Sequence, residues 1–157
     1  LRDELFAAER GAGCTLNGAP VRVSPVDSIA ETLVATGFPT RNRAESVNVY
    51  FFQEMALRSH GVRRPGAAAI DLAYVACGRL DAFWEFGLNS WDVAAGLLLV
   101  EEAGGAVSDM RGGRHTLDAP HLLADNGKVH GEILTLFADV FDGKADGSLP
   151  APPQKPK

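Results

Sequence analysis

Residues 84–105 limit what this chain can fold into more than any other stretch. They read Trp-Glu-Phe-Gly-Leu-Asn-Ser-Trp-Asp-Val-Ala-Ala-Gly-Leu-Leu-Leu-Val-Glu-Glu-Ala-Gly-Gly. Leu80, Ala82, Trp84 and Phe86 alternate with Asp81, Phe83 and Glu85, the two-residue period of a strand. Gly87 breaks that run, and Asn89 or Ser90 offers a side-chain oxygen suited to an N-cap. Val93, Ala94, Leu97, Leu98 and Val100 then recur at helical spacing, and Gly104-Gly105 supplies a stop. A buried strand, a short polar turn and a helix follow in that order. The joint brings Glu85, at the strand's C-terminal end, close to Asp92, in the first helical turn. Ligands of open α/β sheets bind at such strand ends.

Alone, each residue has a plainer explanation. An aspartate in a first turn is more often a capping or dipole residue than a ligand. A glutamate at a strand end is more often a solvated carboxylate.

The surrounding chain reads as an α/β protein. Residues 1–25 suggest short antiparallel strands, with Gly11-Ala12-Gly13 at one turn and Asn17-Gly18 as a two-residue hairpin signal. Such a ribbon is marginal alone, so an exposed apolar area and an unpaired sheet edge are expected there. From residue 32 strands and helices alternate: strands over 32–36, 61–64, 80–86, 106–108 and 121–124, and helices over 45–59, 67–77, 91–103 and 128–141. The first of these helices is expected to bury Val49, Phe52, Met55 and Ala56, and the last Ile133, Leu134, Phe137 and Val140. This alternation predicts a mostly parallel sheet flanked by helices. The expected organisation is an antiparallel-strand remnant over 1–30, an α/β unit over 31–143 and a disordered tail over 144–157, which is rich in proline and lysine.

Composition narrows the partners. With 15 Lys and Arg against 20 Asp and Glu, the net charge of -5 argues against nucleic acid or an anionic membrane. No apolar run approaches the ~20 residues that span a bilayer. Cys14 and Cys77 have no Cys-x-x-Cys spacing, and reduced thiols in a cytoplasmic protein are the expectation. Glu101-Glu102 reads as a solvated helix face. The four histidines show no metal-ligand spacing and read as surface residues.

Trp91-Asp92-Val93-Ala94-Ala95-Gly96, running through to Glu102-Ala103-Gly104-Gly105, resembles the C-terminal signature of the inositol monophosphatase family. The resemblance extends over residues 3–143. It takes in Asp3-Glu4-Leu5-Phe6, Leu16-Asn17-Gly18, Arg63-Arg64-Pro65-Gly66-Ala67-Ala68-Ala69-Ile70-Asp71-Leu72 and Gly78-Arg79-Leu80-Asp81-Ala82. It implies the C-terminal part of the layered sugar-phosphatase fold. It also implies Mg²⁺-dependent hydrolysis of a small phosphate monoester, by a homodimer when intact. By resemblance, Asp92 is the metal ligand and catalytic residue, Glu85 holds polyol hydroxyls, and the backbone at Ala68, following Gly66-Ala67, donates an N–H to the substrate. The family's Glu-Glu pair and Asp-Pro-x-Asp-Gly-Thr loop would lie upstream of Asp3. The chain therefore reads as a C-terminal half, inactive by itself. Asp139-Val140-Phe141-Asp142-Gly143 mimics that loop but lacks its proline and threonine, and lies at the end of the last helix. Within the family, Glu85-Phe86-Gly87 looks most like the inositol-phosphate type. Histidinol phosphate, fructose bisphosphate and phosphoadenosine phosphate are the alternatives. The rival of another class is a non-catalytic relic, or a half-module that needs a partner chain.

Overall fold

The computed structural model describes residues 3–38 and 46–144. Three short strands open it: β1 (Phe6–Glu9), β2 (Gly13–Leu16) and β3 (Ala19–Val21), paired antiparallel in that order. The β2–β3 turn is the expected Asn17-Gly18 hairpin. Both residues take positive φ, 51° and 80°, as a primed two-residue turn requires. The Asn17 side chain also serves the strand before it, accepting the Leu5 N–H at 2.7 Å and donating to the Asp3 carbonyl at 2.9 Å. Among the described residues β1 and β3 each pair only with β2, and Leu5 is 69% exposed, as the ribbon reading expects.

The larger sheet contains β4 (Leu33–Thr36), β5 (Gly61–Arg63), β6 (Ala82–Phe86), β7 (Ala106–Ser108) and β8 (His121–Asp125), in the order β5-β4-β6-β8-β7. β4 is parallel to β5 and β6, while β8 is antiparallel to both β6 and β7. Four strands therefore share one direction and β8 alone is reversed. The reversal has a local cause: a loop rather than a helix joins β7 to β8, so no crossover restores the parallel direction.

Helices cover both faces, as the strands' side-chain alternation dictates. Val34, Ala82, Trp84 and Leu123 pack beneath α1 (Asn48–Arg58) and α4 (His130–Phe141). Their neighbours Ala35, Phe83, Leu122 and Ala124 pack beneath α2 (Ala68–Ala76) and α3 (Ser90–Glu102). Cys14, Phe6 and Val21 of the ribbon join this second cluster, so the ribbon shares a core with the α/β unit. No described helix is long and apolar enough to cross a membrane.

The helices lie near their expected bounds, with one rotated. The start expected for α1 at 45 lies outside the described residues. The face α1 buries carries Asn48, Phe51, Glu54 and Met55. Met55 was expected there, but Val49 and Phe52 are exposed, at 42% and 37%, and Ala56 is exposed too. Asn48 explains the rotation. Its side chain, 1% exposed, donates to Thr36 Oγ1 at 2.9 Å and to the Gly37 carbonyl at 2.7 Å, and accepts the Trp84 indole N–H at 2.6 Å. A fully bonded amide enters a core readily, whereas an unbonded one costs several kcal/mol. In α4, Ile133 and Phe137 are buried as expected, with Leu136 between them and Leu134 and Val140 at the margin. Of the tail expected over 144–157, only Lys144 is described.

Two further expectations are corrected. Glu102 is not a solvated helix residue: its carboxylate accepts the Gly11 and Gly13 N–H groups, each at 2.9 Å, and ties the β1–β2 turn to the end of α3. These bonds hold its carboxyl below the usual glutamate range. The histidines are not all surface residues either. His130 Nδ1 lies 2.6 Å from the buried Asp125, His121 Nδ1 accepts the Met110 N–H at 3.0 Å, and both ring nitrogens of His115 are buried.

Helices α2 and α3 run side by side because Gly96 has no side chain. A Cβ there would lie 2.5 Å from Leu72 Cδ1 and 2.6 Å from Leu72 Cβ. Leu72 is fully buried and cannot withdraw. Gly96→Ala is expected to destabilise the chain by about 1–3 kcal/mol through overpacking, despite alanine's better helix propensity. Thermal unfolding followed by circular dichroism measures this, and an unchanged or raised Tm would refute it.

Candidate functional site

Three carboxyl groups and an open helix end gather where β6 finishes. Glu85 is the penultimate residue of β6, and its side chain lies against the backbone of Gly37, just past the end of neighbouring β4. A Cβ on Gly37 would lie 2.1 Å from the Glu85 carboxyl carbon, so that position admits no side chain while Glu85 stays in place. Burial first, with the negative charges of Asp71 and Asp92 adding to it and the Arg64 guanidinium opposing, raises the Glu85 carboxyl to about 7.

Asp92 is the third residue of α3. Its Oδ2 accepts the backbone N–H of Asn89 at 2.9 Å and the Asn89 side-chain N–H at 3.2 Å, the returning arm of a capping box. The capping function that its position suggests is therefore present. It engages only one oxygen: no donor among the described residues reaches Oδ1.

Ala68 is the first residue of α2, preceded by Ala67 as N-cap and by Gly66 at φ +91°. Alanine has no side-chain oxygen to cap a helix, so the α2 N-terminus carries no side-chain cap. The N–H groups of Ile70 and Asp71 bond back to the Ala67 carbonyl. Those of Ala68 and Ala69 find no acceptor among the described residues, leaving two donors at the positive end of the helix dipole.

Asp71, in the same first turn, was not singled out by its sequence. It is 1% exposed, and its Oδ1 is buried without a partner. Burial raises its carboxyl to about 6, opposed by the Ala67 backbone N–H. The available signal was a charge inside the apolar run Ile70-Asp71-Leu72-Ala73, on a helix whose other face is core. Gly37 was missed too, because a glycine ending a strand reads as punctuation rather than as a seat for a carboxylate 48 positions away.

The site thus offers hydroxyl acceptors, two backbone donors and hard carboxylate oxygens. Oxygen donors of this kind suit Mg²⁺. Among the described residues no group of three His, Cys, Asp or Glu side chains is arranged to hold a metal, so the fit is one of kind, with Asp92 Oδ1 the available oxygen. The mimic at 139–143 adds nothing: it ends α4, and Asp142 is taken by Lys144 at 2.8 Å.

The inositol monophosphatase family model matches residues 1–141. This chain belongs to the inositol monophosphatase family. It is 49% identical over 138 residues to Nus factor SuhB of Pseudomonas aeruginosa, covering 86% of this chain and 51% of that protein. It is 44% identical over 133 residues to an inositol-1-monophosphatase of Mesorhizobium japonicum, covering 84% and 50%. Among solved structures, an inositol monophosphatase from Anabaena superimposes with a TM-score of 0.83 at 40% identity, covering 87% of this chain and 55% of that one. The chain spans about half the length of the curated relatives it matches.

The buried carboxyl of Asp71 gives the family member a pH signature. Its folded-state value of about 6 stands above its ordinary 3.8, so the folded chain holds this proton more tightly than the unfolded one. Its contribution is intact below about pH 4 and is lost as pH rises through about 6. Asp71→Asn is expected to leave stability near pH 4 unchanged and to raise it at pH 7 by about 1–3 kcal/mol, the ceiling being 1.36 kcal/mol per unit. Urea denaturation at the two pH values checks this, and a loss of stability at pH 7 would contradict it.

Proposed function

We propose that this chain supplies the C-terminal half of the active site of a Mg²⁺-dependent phosphomonoesterase acting on inositol monophosphate or a related polyol phosphate. The observation that carries the reading is the gathering of Glu85, Asp92 and the uncapped N-terminus of α2 at one strand end, in a member of this family. When bound, Mg²⁺ supplies the positive charge that activates water and neutralises the leaving oxygen. Asp92 contributes one ligand oxygen, with its side chain fixed by the Asn89 bonds. Glu85 accepts a polyol hydroxyl, and its raised pKa lets it hold a proton near neutral pH. The Ala68 N–H donates to a substrate oxygen, and Gly66 allows close approach of that backbone. The remaining ligands and the phosphate-holding loop come, on this reading, from the part of the family's length that this chain does not span. The enzyme would be a cytoplasmic homodimer acting on a small phosphate monoester rather than on nucleic acid or a membrane. A fructose bisphosphate, histidinol phosphate or phosphoadenosine phosphate substrate is the alternative within the same chemistry.

A second reading is favoured by one observation: the relative at 49% identity carries the name Nus factor SuhB. On that reading the chain serves a role other than hydrolysis.

The test is hydrolysis of inositol monophosphate with Mg²⁺. Residues 1–157 alone are expected to show no turnover. A protein that joins this chain to the other half of the family's length is expected to be active. In it, Asp92→Asn should cut kcat about a thousandfold, equivalent to about 4 kcal/mol, with the fold unchanged. Glu85→Gln should instead act on KM and substrate preference. Absence of turnover in the joined protein would favour the second reading, and a normal kcat in Asp92→Asn would remove Asp92 from the catalytic site.

A further inference from the structure

A second feature of this half lies beside the edge strand β5. Arg63, Arg64 and Arg79 line one cavity of about 380 Å³ together with Tyr74. The cluster runs against the overall charge of the chain, which has 20 acidic residues to 15 basic ones. Neither Arg63 nor Arg64 makes an ion pair within 4 Å among the described residues. Each spends one N–H on a backbone carbonyl, Arg63 on Val62 at 3.2 Å and Arg64 on Phe38 at 3.3 Å. A guanidinium has five N–H donors, so most of theirs stay available.

Arg79 shows what this wall binds. Its two terminal nitrogens grip the Glu4 carboxylate at 2.9 and 2.6 Å, and its guanidinium lies 5.1 Å from the centre of the Tyr74 ring. Arg79 thus already holds an oxyanion, while Arg63 and Arg64 form no ion pair among the described residues. All three cations are arginine, whose planar fork matches the paired oxygens of carboxylate and phosphate.

We propose that Arg63 and Arg64, in the cavity they line beside the Arg79–Glu4 pair, bind a phosphate group at a site next to the carboxylate cluster. The two sites share a wall, since Arg64 bonds to Phe38 and the adjoining Gly37 backbone supports Glu85. The phosphate comes either as the free ion or as a second phosphate on a polyol held at Glu85. Two adjacent arginines and no metal ligand make this a site for charge recognition, not for hydrolysis.

The experiment titrates inorganic phosphate into residues 1–157 without Mg²⁺, observing the arginine side-chain N–H resonances. Saturable shifts at Arg63 and Arg64 are expected. Arg63→Ala should weaken binding about five- to tenfold, and Arg63→Gln, which keeps the stem of the side chain, by a similar factor. Asp92→Asn should leave the affinity within about twofold. A polyol bisphosphate that binds about tenfold tighter than phosphate, with the gain lost in Glu85→Gln, assigns the cavity to a second substrate phosphate. Equal affinities assign it to the free ion. No saturable shift, equal binding by both Arg63 variants and the unaltered chain, or loss of binding in Asp92→Asn would each overturn the proposal. Neither metal nor turnover enters the measurement, so its failure is distinguishable from failure of the phosphatase reading.

Discussion

The contact between Gly96 and Leu72 is the constraint on which the site depends. Two helices can lie this close only where one of them presents bare backbone, and the sequence provides that at one position of α3. With the pair so fixed, their first turns fall at the same end. Asp71 and Asp92 then both act on Glu85, the one carboxyl contributed by the strand. The ordinary outcome of assembling three acidic side chains is mutual repulsion. Burial acts on both Asp71 and Glu85, and repulsion adds to it at Glu85, so the two carboxyls hold their protons to higher pH than usual, up to about 6 and about 7.

A polar network secures the other side of the same strand end. Asn48 links α1 to both Thr36 and Trp84, and Thr36 Oγ1 donates to the Trp84 carbonyl at 2.7 Å. Thr36 and Trp84 are themselves register partners on β4 and β6. Aromatic packing of Phe51 against Phe137 at 5.0 Å, and of Trp84 against Phe137 at 5.7 Å, fills the layer beneath. The end of β6 is therefore held by close helix packing on one face and by directed hydrogen bonds on the other. Rigid strand ends are what a site placed on connecting turns needs, because the turns themselves have little core to hold them.

Much of this was legible in the sequence because the relevant signals are local. The Asn17-Gly18 turn, the break at Gly87, the cap at Asn89 and the stop at Gly104-Gly105 each act within a few residues. The resemblance of residues 91–105 to a family signature directed attention to Asp92, whose charge reaches Glu85. What escaped notice depended on partners distant in the chain. Apolar periodicity put Val49 and Phe52 of α1 inside. Asn48 took the buried face because Thr36, Gly37 and Trp84 together satisfy its amide, and all three lie more than ten positions from it in sequence. Glu102 looked like one of two solvated glutamates until the ribbon turn supplied Gly11 and Gly13 as donors. Asp71 drew no separate reading from the sequence, and only the packing around α2 deprives it of water. The reversal of β8 followed from the loop that precedes it, which strand–helix alternation does not register.

The contact between Gly37 and Glu85 carries a consequence for sequence comparison. The atoms that a side chain at position 37 would strike belong to the far end of a flexible glutamate, which can swing aside at little cost in folding energy. A larger residue there would leave the fold intact while removing the carboxylate from its place. The two positions are thus coupled by size rather than by charge. Among relatives, a glutamate at the position matching Glu85 should keep this place only where the position matching Gly37 stays a glycine, so the pair should change together across the family even though neither residue hydrogen-bonds the other.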